Sequence, residues 1–219
     1  MDRDQQLQEI AKEISACKKC QLYHSRKNSV PGEGPSDANI MFIGEAPGFH
    51  ENEQGRPFVG AAGKLLDTLL SNIGMNREQV VITNVVKCRP PGNRDPLDEE
   101  IDACVNSYLH QQIELIDPKL IITLGRFSMG LFFKNAKISE IHGNAIKIGD
   151  RWIAAMYHPA AALHQPKLLE VIQKDFDKLP NLVKKVAPGP DNSISEKVPA
   201  QTSPDTAQPE DKASQLSLF

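Results

Sequence analysis

The feature that most constrains the fold of this 219-residue chain is a repeated order of apolar run, loop and helical pattern. Short β-rich runs occupy 39–43, 80–86 and 119–124. Apolar residues recur at helical spacing in the segments 3–16, 61–73, 97–116, 126–133 and 166–179. Runs of this kind alternating with helices predict an α/β layered domain with a mostly parallel central sheet.

The end of the chain differs in character from the rest. Two apolar runs, 146–148 and 152–157, flank Gly149 and Asp150, which predicts a tight turn between two strands. The last helix is expected to stop before Pro180. After about residue 186 the sequence has five prolines and almost nothing to bury, which predicts disorder. We therefore expect a folded domain over 1–186, a disordered linker over 187–214 and a short apolar terminal segment, 215–219.

Charge and hydropathy limit the compartment and the partners. No stretch approaches 18 consecutive apolar residues, and the N-terminus is charged and helical in pattern, so we expect a cytoplasmic protein without membrane contact. The formal net charge is −3, but residues 188–219 hold five acids against two lysines, so the remainder is neutral overall. Local basic clusters can still bind phosphate, and Lys87, Arg89 and Arg94 form one such cluster.

Four cysteines form the second informative pattern: Cys17 and Cys20 are close together, whereas Cys88 and Cys104 lie far along the chain. In a reducing compartment such a quartet favours metal binding over structural disulfides. Thiolates suit both zinc and iron–sulfur clusters, and the spacing does not decide between them.

The stretch GEAPGFHENEQGRPFVGAAG, residues 44–63, follows the first apolar run. Its glycines permit close backbone approach to a ligand, its carboxylates include Glu45 and Glu51, and Phe58 offers a flat face. It is not a Walker loop, because no Gly-Lys-Ser/Thr follows the glycines. The simpler interpretation is a polar connection between strand and helix. In a parallel sheet, however, this loop, KCRPPGNR and YHPAAAL would all meet at the carboxyl ends of the strands, where ligands bind.

Taken in order, several motifs carry a family resemblance. GEAPG with GRPFVGAAG, then ITNVVKCRPPGNR, the late YHP and the cysteine spacing together resemble the family-4, iron–sulfur class of uracil-DNA glycosylases, over roughly residues 7–180. The resemblance implies a three-layer α/β/α fold. It also implies a [4Fe–4S] cluster held by Cys17, Cys20, Cys88 and Cys104, which would tie the N-terminal helix to the loop after the second strand.

The resemblance also implies roles around an extruded base. Phe58 would be the stacking platform and Asn84 the reader of the uracil edge, with Gly44 and Ala46 lining the same site. His158 would donate a hydrogen bond to uracil O2 as charge develops on the leaving base. Turn former for Asn84, core residue for Phe58 and a structural histidine at 158 are the plain alternatives.

One departure concerns the attacking water. The best-known branch of the superfamily carries a water-activating Asp where this chain has Ala46. Family 4 generally lacks that Asp, so the water positioner is left among Glu45, Glu51 and Asn93. Glu51 could instead wall off the C5 side of the base and exclude thymine.

DNA and partner contacts complete the expectations. Lys87, Arg89 and Arg94 are expected to track phosphates, and Leu163 to fill the vacated stack as a wedge. The terminal pentapeptide resembles the motif by which bacterial repair enzymes dock on the sliding clamp, and its expected contact residues are Gln215, Leu216, Leu218 and Phe219. Its alternative is a plug that folds back onto its own core.

The function expected from the sequence is that of a monomeric uracil-DNA glycosylase, which flips uracil out of DNA and hydrolyses its glycosidic bond. One rival is a non-catalytic iron–sulfur DNA-binding module tethered to the clamp. A second is the related branch that bonds covalently to DNA through a histidine in a basic inserted loop, although KCRPPGNRDP has neither. A third is an adaptor that only brings DNA to the clamp.

Overall fold

The structure, a computed structural model, describes residues 1–186; the expected linker 187–214 and terminal segment 215–219 lie outside the described residues. The strands are β1 (Ile40–Gly44), β2 (Val81–Asn84), β3 (Leu120–Leu124), β4 (Asn144–Ile148) and β5 (Arg151–Met156). The helices are α1 (Arg3–Ala16), α2 (Phe49–Gln54), α3 (Ala61–Asn72), α4 (Asp98–Cys104), α5 (His110–Ile116), α6 (Arg126–Gly130), α7 (Ile138–Ile141), α8 (Pro159–His164), α9 (Leu168–Phe176) and α10 (Leu179–Val186).

The five strands form one sheet in the order β2-β1-β3-β5-β4. β1 pairs in parallel with β2 and β3, and β3 pairs in parallel with β5. Only β4, at the edge, is antiparallel, because it joins β5 through the hairpin at Gly149. The α/β fold with a mostly parallel sheet is therefore confirmed.

Both faces of the sheet are covered, because successive residues of a strand point to opposite sides. Met41 and Ile43 of β1 pack in the cluster that includes α1, α4 and α5. Ile40 and Phe42 pack in the cluster that includes α3 and α9. The result is the expected α/β/α layering.

Several helix predictions need correction. The expected helix 97–116 is interrupted by a π-helical turn at Val105–Leu109. Pro180 does not end the last helix but lies in the first turn of a further helix, α10, where its missing N–H costs nothing. Two short helices, α2 and α8, occupy segments expected to be loops.

The sheet topology decides where the functional loops meet. Gly44 and Asn84 are register partners at the carboxyl ends of β1 and β2. β3 and β5 end at the same edge. Among residues 1–186, no helix is long and apolar enough to cross a membrane.

Candidate functional site

A cleft of about 480 Å³ opens at the carboxyl ends of the parallel strands. Eight of the expected site residues line it: Glu45, Ala46, Glu51, Phe58, Asn84, Asn93, Arg94 and His158. Gly44 lies directly behind two of them. Lys87, Arg89 and Leu163 are not part of its lining.

Phe58 lies in an unusual backbone conformation, with φ of +50°. Bulky residues rarely adopt this left-handed region, and such strain costs roughly 1–3 kcal/mol. The ring is 5% exposed and belongs to the core beneath the cleft as well as to the cleft wall. It stacks on the ring of His158, with centroids 5.4 Å apart and an interplanar angle of 25°. A flat, well-held aromatic surface is therefore present at the cleft.

Asn84 is the last residue of β2 and is 1% exposed. Its side-chain carbonyl Oδ1 is buried and has no hydrogen-bond partner within the described residues. Gly44 makes this arrangement possible, since a Cβ there would lie 2.4 Å from Asn84 Oδ1 and 2.6 Å from the Phe58 ring. Buried carbonyls are normally satisfied, so an orphaned one facing a cleft is a candidate ligand contact.

His158 caps helix α8, and this fixes its hydrogen-bonding role. Its Nδ1 accepts a hydrogen bond from the main-chain N–H of Ala160 at 3.0 Å. In the neutral ring the proton therefore lies on Nε2, which is a donor. Burial lowers the pKa of His158 to about 4, against the opposing charge of Glu51. At neutral pH the ring is an uncharged donor beside the Phe58 face.

The three expected water positioners have different surroundings. Glu51 Oε1 accepts hydrogen bonds from the N–H groups of Val59 and Gly60, both at 2.9 Å. The Oδ1 of Asn93 accepts from Nε of Arg89 at 2.7 Å.

Glu45 makes no side-chain hydrogen bond to any residue in 1–186, and it lies in the cleft wall. Burial raises its pKa and Asp95 adds to the shift, whereas Arg126 opposes it. Of the three side chains, Glu45 has the most unused hydrogen-bonding capacity, and Ala46 beside it leaves space in the cleft.

The two arginines of the expected phosphate track are held by the protein. Arg89 lies over the Phe49 ring, 5.2 Å from its centroid. Arg94 pairs with Glu100, which is fully buried, through contacts of 2.7 and 2.9 Å. Both guanidinium groups stay at the rim, and the side chain of Arg94 is 39% exposed.

The prediction that Lys87 contacts phosphate is wrong. Lys87 is 1% exposed, and its ammonium donates to Thr83 Oγ1 at 2.6 Å and to the carbonyl of Asn84 at 2.8 Å. Burial lowers its pKa to about 8. The side chain points into the protein and supports the end of β2 from beneath.

Leu163 lies on α8 and is 50% exposed, next to a cleft lined by its helix neighbours Ala160, Ala161 and His164.

His164 was missed from the sequence because a lone histidine has no motif around it. Arg77 was missed for a stronger reason. It precedes β2 in the chain, and nothing local indicates that its guanidinium reaches Phe58.

A second cavity is lined by all four cysteines, together with residues of α1 and α4. The main-chain N–H of Lys87 donates to Sγ of Cys104, and Arg26 donates to Sγ of Cys88. Burial raises the pKa of Cys104 to about 11 and also raises that of Cys88. Thiolates there need a bound cation to be stable.

Within residues 1–186, no three Cys, His, Asp or Glu side chains come close enough together to hold a single metal ion. A zinc site needs thiolates within roughly 4 Å of each other, given Zn–S distances of about 2.3 Å. All four cysteines nevertheless line a single cavity in the part of the chain that the structure describes.

Comparisons with known proteins agree with this geometry. Residues 31–183 match the model of the uracil DNA glycosylase superfamily. The chain is 49% identical over 186 residues to a type-4 uracil-DNA glycosylase of Sulfurisphaera tokodaii, covering 80% of this chain and 84% of that one. It is 46% identical over 192 residues to the type-4 uracil-DNA glycosylase of Archaeoglobus fulgidus, covering 83% and 96%.

A more distant match is a DNA polymerase of Bacillus phage SP01, 34% identical over 160 residues. It covers 73% of this chain but 17% of the polymerase. The near-complete coverage of stand-alone glycosylases, at higher identity, places this protein in the uracil DNA glycosylase superfamily, as a member of its type-4 group.

Proposed function

We propose that this protein is a uracil-DNA glycosylase that takes uracil out of DNA and hydrolyses its N-glycosidic bond, leaving an abasic site. The observation that carries the proposal is the orphaned carbonyl of Asn84 at the cleft. It can accept a hydrogen bond from uracil N3–H, while the amide nitrogen of the same side chain donates to O4. Cytosine presents the reverse pattern on this edge and would leave buried groups unpaired.

The rest of the cleft supports the same reaction. The extruded base stacks on Phe58, and the Nε2–H of His158 donates to uracil O2. As the glycosidic bond breaks, its electron pair moves onto the departing base, and a neutral donor stabilises that charge without forming a buried ion pair beforehand. Water adds to C1′ of the sugar, and the proton it loses goes to a carboxylate or to solvent.

We assign the positioning of that water to Glu45. Its carboxylate has no competing side-chain hydrogen bond within 1–186, whereas Glu51 and Asn93 are engaged by main-chain amides and by Arg89. Arg89, Arg94 and Leu163 at the rim are assigned to DNA contact, and the monomeric state remains a prediction.

The test is uracil release from a single-uracil oligonucleotide by the purified chain, followed by alkali. Strand breaks at uracil, with none at cytosine or thymine in the same context, are expected. Asn84→Ala should abolish the breaks, and Asn181→Ala, at an exposed asparagine of α10 that does not line the cleft, should not. A stable shift without breaks would indicate an adaptor or a non-catalytic module, and an alkali-resistant adduct would indicate covalent capture.

We also propose that Cys17, Cys20, Cys88 and Cys104 hold a [4Fe–4S] cluster. The shared cavity and the buried thiols support it. When bound, such a cluster supplies four iron–thiolate bonds that hold the segments together. Iron and sulfide analysis of anaerobically purified protein should give about four of each per chain; stoichiometric zinc would contradict the assignment.

The proposed sliding-clamp contact rests on the sequence of residues 215–219 alone. Deleting these five residues should abolish binding to an immobilised bacterial clamp while leaving uracil release from a short oligonucleotide unchanged. Unaltered clamp binding after the deletion would refute this assignment.

A further inference from the structure

The main chain of residues 57–60 is held by side-chain hydrogen bonds on two sides. On one side, a single carboxylate oxygen of Glu51 accepts hydrogen bonds from the N–H groups of Val59 and Gly60. On the other side, the guanidinium of Arg77 donates to the carbonyls of Pro57 and Phe58, the latter at 3.0 Å. Four consecutive residues around the Phe58 ring are thus held through their backbone.

Arg77 is itself held in place. Its side chain is 15% exposed, its Nε donates to Glu33, and its Nη1 lies 3.0 Å from Asp67. Glu33 is tied to β2 through main-chain hydrogen bonds to Ile82 in both directions, at 3.0 and 2.8 Å. Burial acts to raise the pKa of Glu33, but hydrogen bonds from Arg56 and Arg77 lower it. A charged, anchored partner therefore orients the guanidinium.

The conformation that this network holds is one the chain would otherwise avoid. Phe58 has a positive φ, and such conformations persist only where the surroundings over-determine them. Gly63 leaves room for this conformation, because a Cβ at that position would lie 1.8 Å from the Phe58 carbonyl oxygen. Without the arginine, the peptide around Phe58 loses its two carbonyl contacts and is free to relax.

We infer that Arg77 is a positioning residue for base recognition: by holding the carbonyls of Pro57 and Phe58, it keeps the Phe58 ring where an extruded pyrimidine stacks. Glu51 is the matching clamp on the amide side. This inference rests on the proposed uracil-DNA glycosylase function. Arg77 precedes β2 and Asn84 ends it. The same strand therefore positions both the stacking ring of Phe58 and the Asn84 side chain that contacts the base edge.

A double-mutant cycle tests whether Arg77 acts through Phe58. Single-turnover uracil release is measured for the wild type, Arg77→Met, Phe58→Ala and the double variant. Arg77→Met should slow uracil release roughly 10- to 100-fold, because a displaced Phe58 ring stacks less well on the base. In the Phe58→Ala background the same substitution should cost less than about threefold, because the ring it positions is gone. Equal losses in both backgrounds would overturn the inference.

Two binding measurements separate positioning from a general loss of fold. Arg77→Met should weaken inhibition by free uracil about as much as it slows release. Its affinity for an abasic-site oligonucleotide, which has no base to stack, should stay within about twofold. Parallel loss of both affinities would assign Arg77 a purely structural role.

Matched variants complete the design. Arg77→Lys retains the charge but cannot fork between two carbonyls, so it should recover only part of the rate even if Arg77→Met folds poorly. Arg151→Met breaks a comparable ion pair, with Asp117 at 2.8 Å, at the amino end of β5.

The matched variant Arg151→Met should release uracil at the wild-type rate. A rate loss in Arg151→Met equal to that in Arg77→Met would overturn the inference. Absence of uracil release by the wild type would instead refute the proposed function, so the two failures are distinguishable.

Discussion

The cleft and the cysteine cavity of this protein both contain buried polar groups, but those groups are left in different states. In the cleft, Asn84 Oδ1 has no partner within the described residues, and His158 is an uncharged donor. In the cavity, four cysteines line one mainly apolar space, and burial raises the pKa of Cys104 and Cys88. The first arrangement suits a ligand that enters and leaves, and the second suits one that stays.

This contrast predicts that the two regions respond oppositely to substitution. A cleft side chain that bonds only to a transient ligand makes no hydrogen bond within the folded protein. Removing it should therefore slow uracil release and leave the free energy of unfolding unchanged. Removing a cysteine that holds a permanently bound group should mainly lower the stability of the fold. The free energy with which such a group binds adds to the free energy of folding.

The largest effect is expected from Cys88→Ser. Losing one of the four proposed cluster ligands should lower Tm by roughly 10 °C or more. Thermal unfolding followed by circular dichroism, together with iron content, measures it. Ser107→Ala, whose hydroxyl pairs with Lys19 on the same side of the sheet, is the control and should change Tm by less than about 2 °C. An iron-free Cys88→Ser protein with wild-type Tm would break the contrast.

Asn84→Leu should show the opposite pattern. Single-turnover release of uracil should fall roughly 10³-fold or more, because both hydrogen bonds to the base edge are lost. Tm should be unchanged or higher, since an unsatisfied buried carbonyl is replaced by an apolar group of similar size. Asn181→Leu, at an exposed position on α10, controls for surface effects on both measurements. A large fall in Tm for Asn84→Leu would mean that the side chain of Asn84 is needed for the stability of the fold.

His158→Ala should slow release by roughly 10²- to 10³-fold, as expected for loss of one donor to a developing anion. Because the pKa of His158 is about 4, the wild-type rate should show no titration of this ring between pH 6 and 7. Rates measured across that range, with His110→Ala on the exposed face of α5 as control, test both points. If the wild-type rate changes between pH 6 and 7 and this pH dependence is lost in His158→Ala, the ring is not neutral throughout that range and the assignment is wrong.

The smallest effect concerns pH and Glu45. If its carboxylate positions the water, the rate should fall as pH drops through its pKa, which burial raises above the usual value for a glutamate. Glu45→Gln should remove this acid limb and lower the rate on the plateau. Stability should change the other way: with a raised pKa the native protein takes up the proton first, so stability increases as pH falls through the same window.

Glu51→Gln and Asn93→Ala are the matched variants for the acid limb. Neither should remove it, because Oε1 of Glu51 already accepts from main-chain amides and Oδ1 of Asn93 already accepts from Arg89. If the limb persists in Glu45→Gln and disappears in Glu51→Gln, the water positioner is Glu51.

Much of the fold was predictable from local pattern. β1 and β3 match apolar runs closely, because buried parallel strands are apolar on both faces. The turn at Gly149 was predictable because that residue takes a positive φ, which glycine adopts without cost. Helices α2 and α8 were not, since each has only six residues, and α2 is held by a tertiary contact between Asn52 and Lys27.

The site divides in the same way. Phe58, Asn84 and His158 follow strands at the carboxyl edge, so their meeting could be expected from topology. The burial of Lys87 could not, because a lysine in a basic run looks the same whether it faces solvent or the interior. Nor could the reach of Arg77 to the Phe58 carbonyl be expected, since no periodicity connects positions 19 residues apart.

The order of elements and the residue types available at the strand ends were thus determined by the sequence itself, since strand and helix patterns depend on near neighbours. Only the tertiary structure decided which polar atoms are left without partners, which tautomer His158 adopts and which charge clamps the left-handed Phe58. Hydrogen bonding and burial depend on groups that are distant along the chain, and their pairing exists only once the layers have packed.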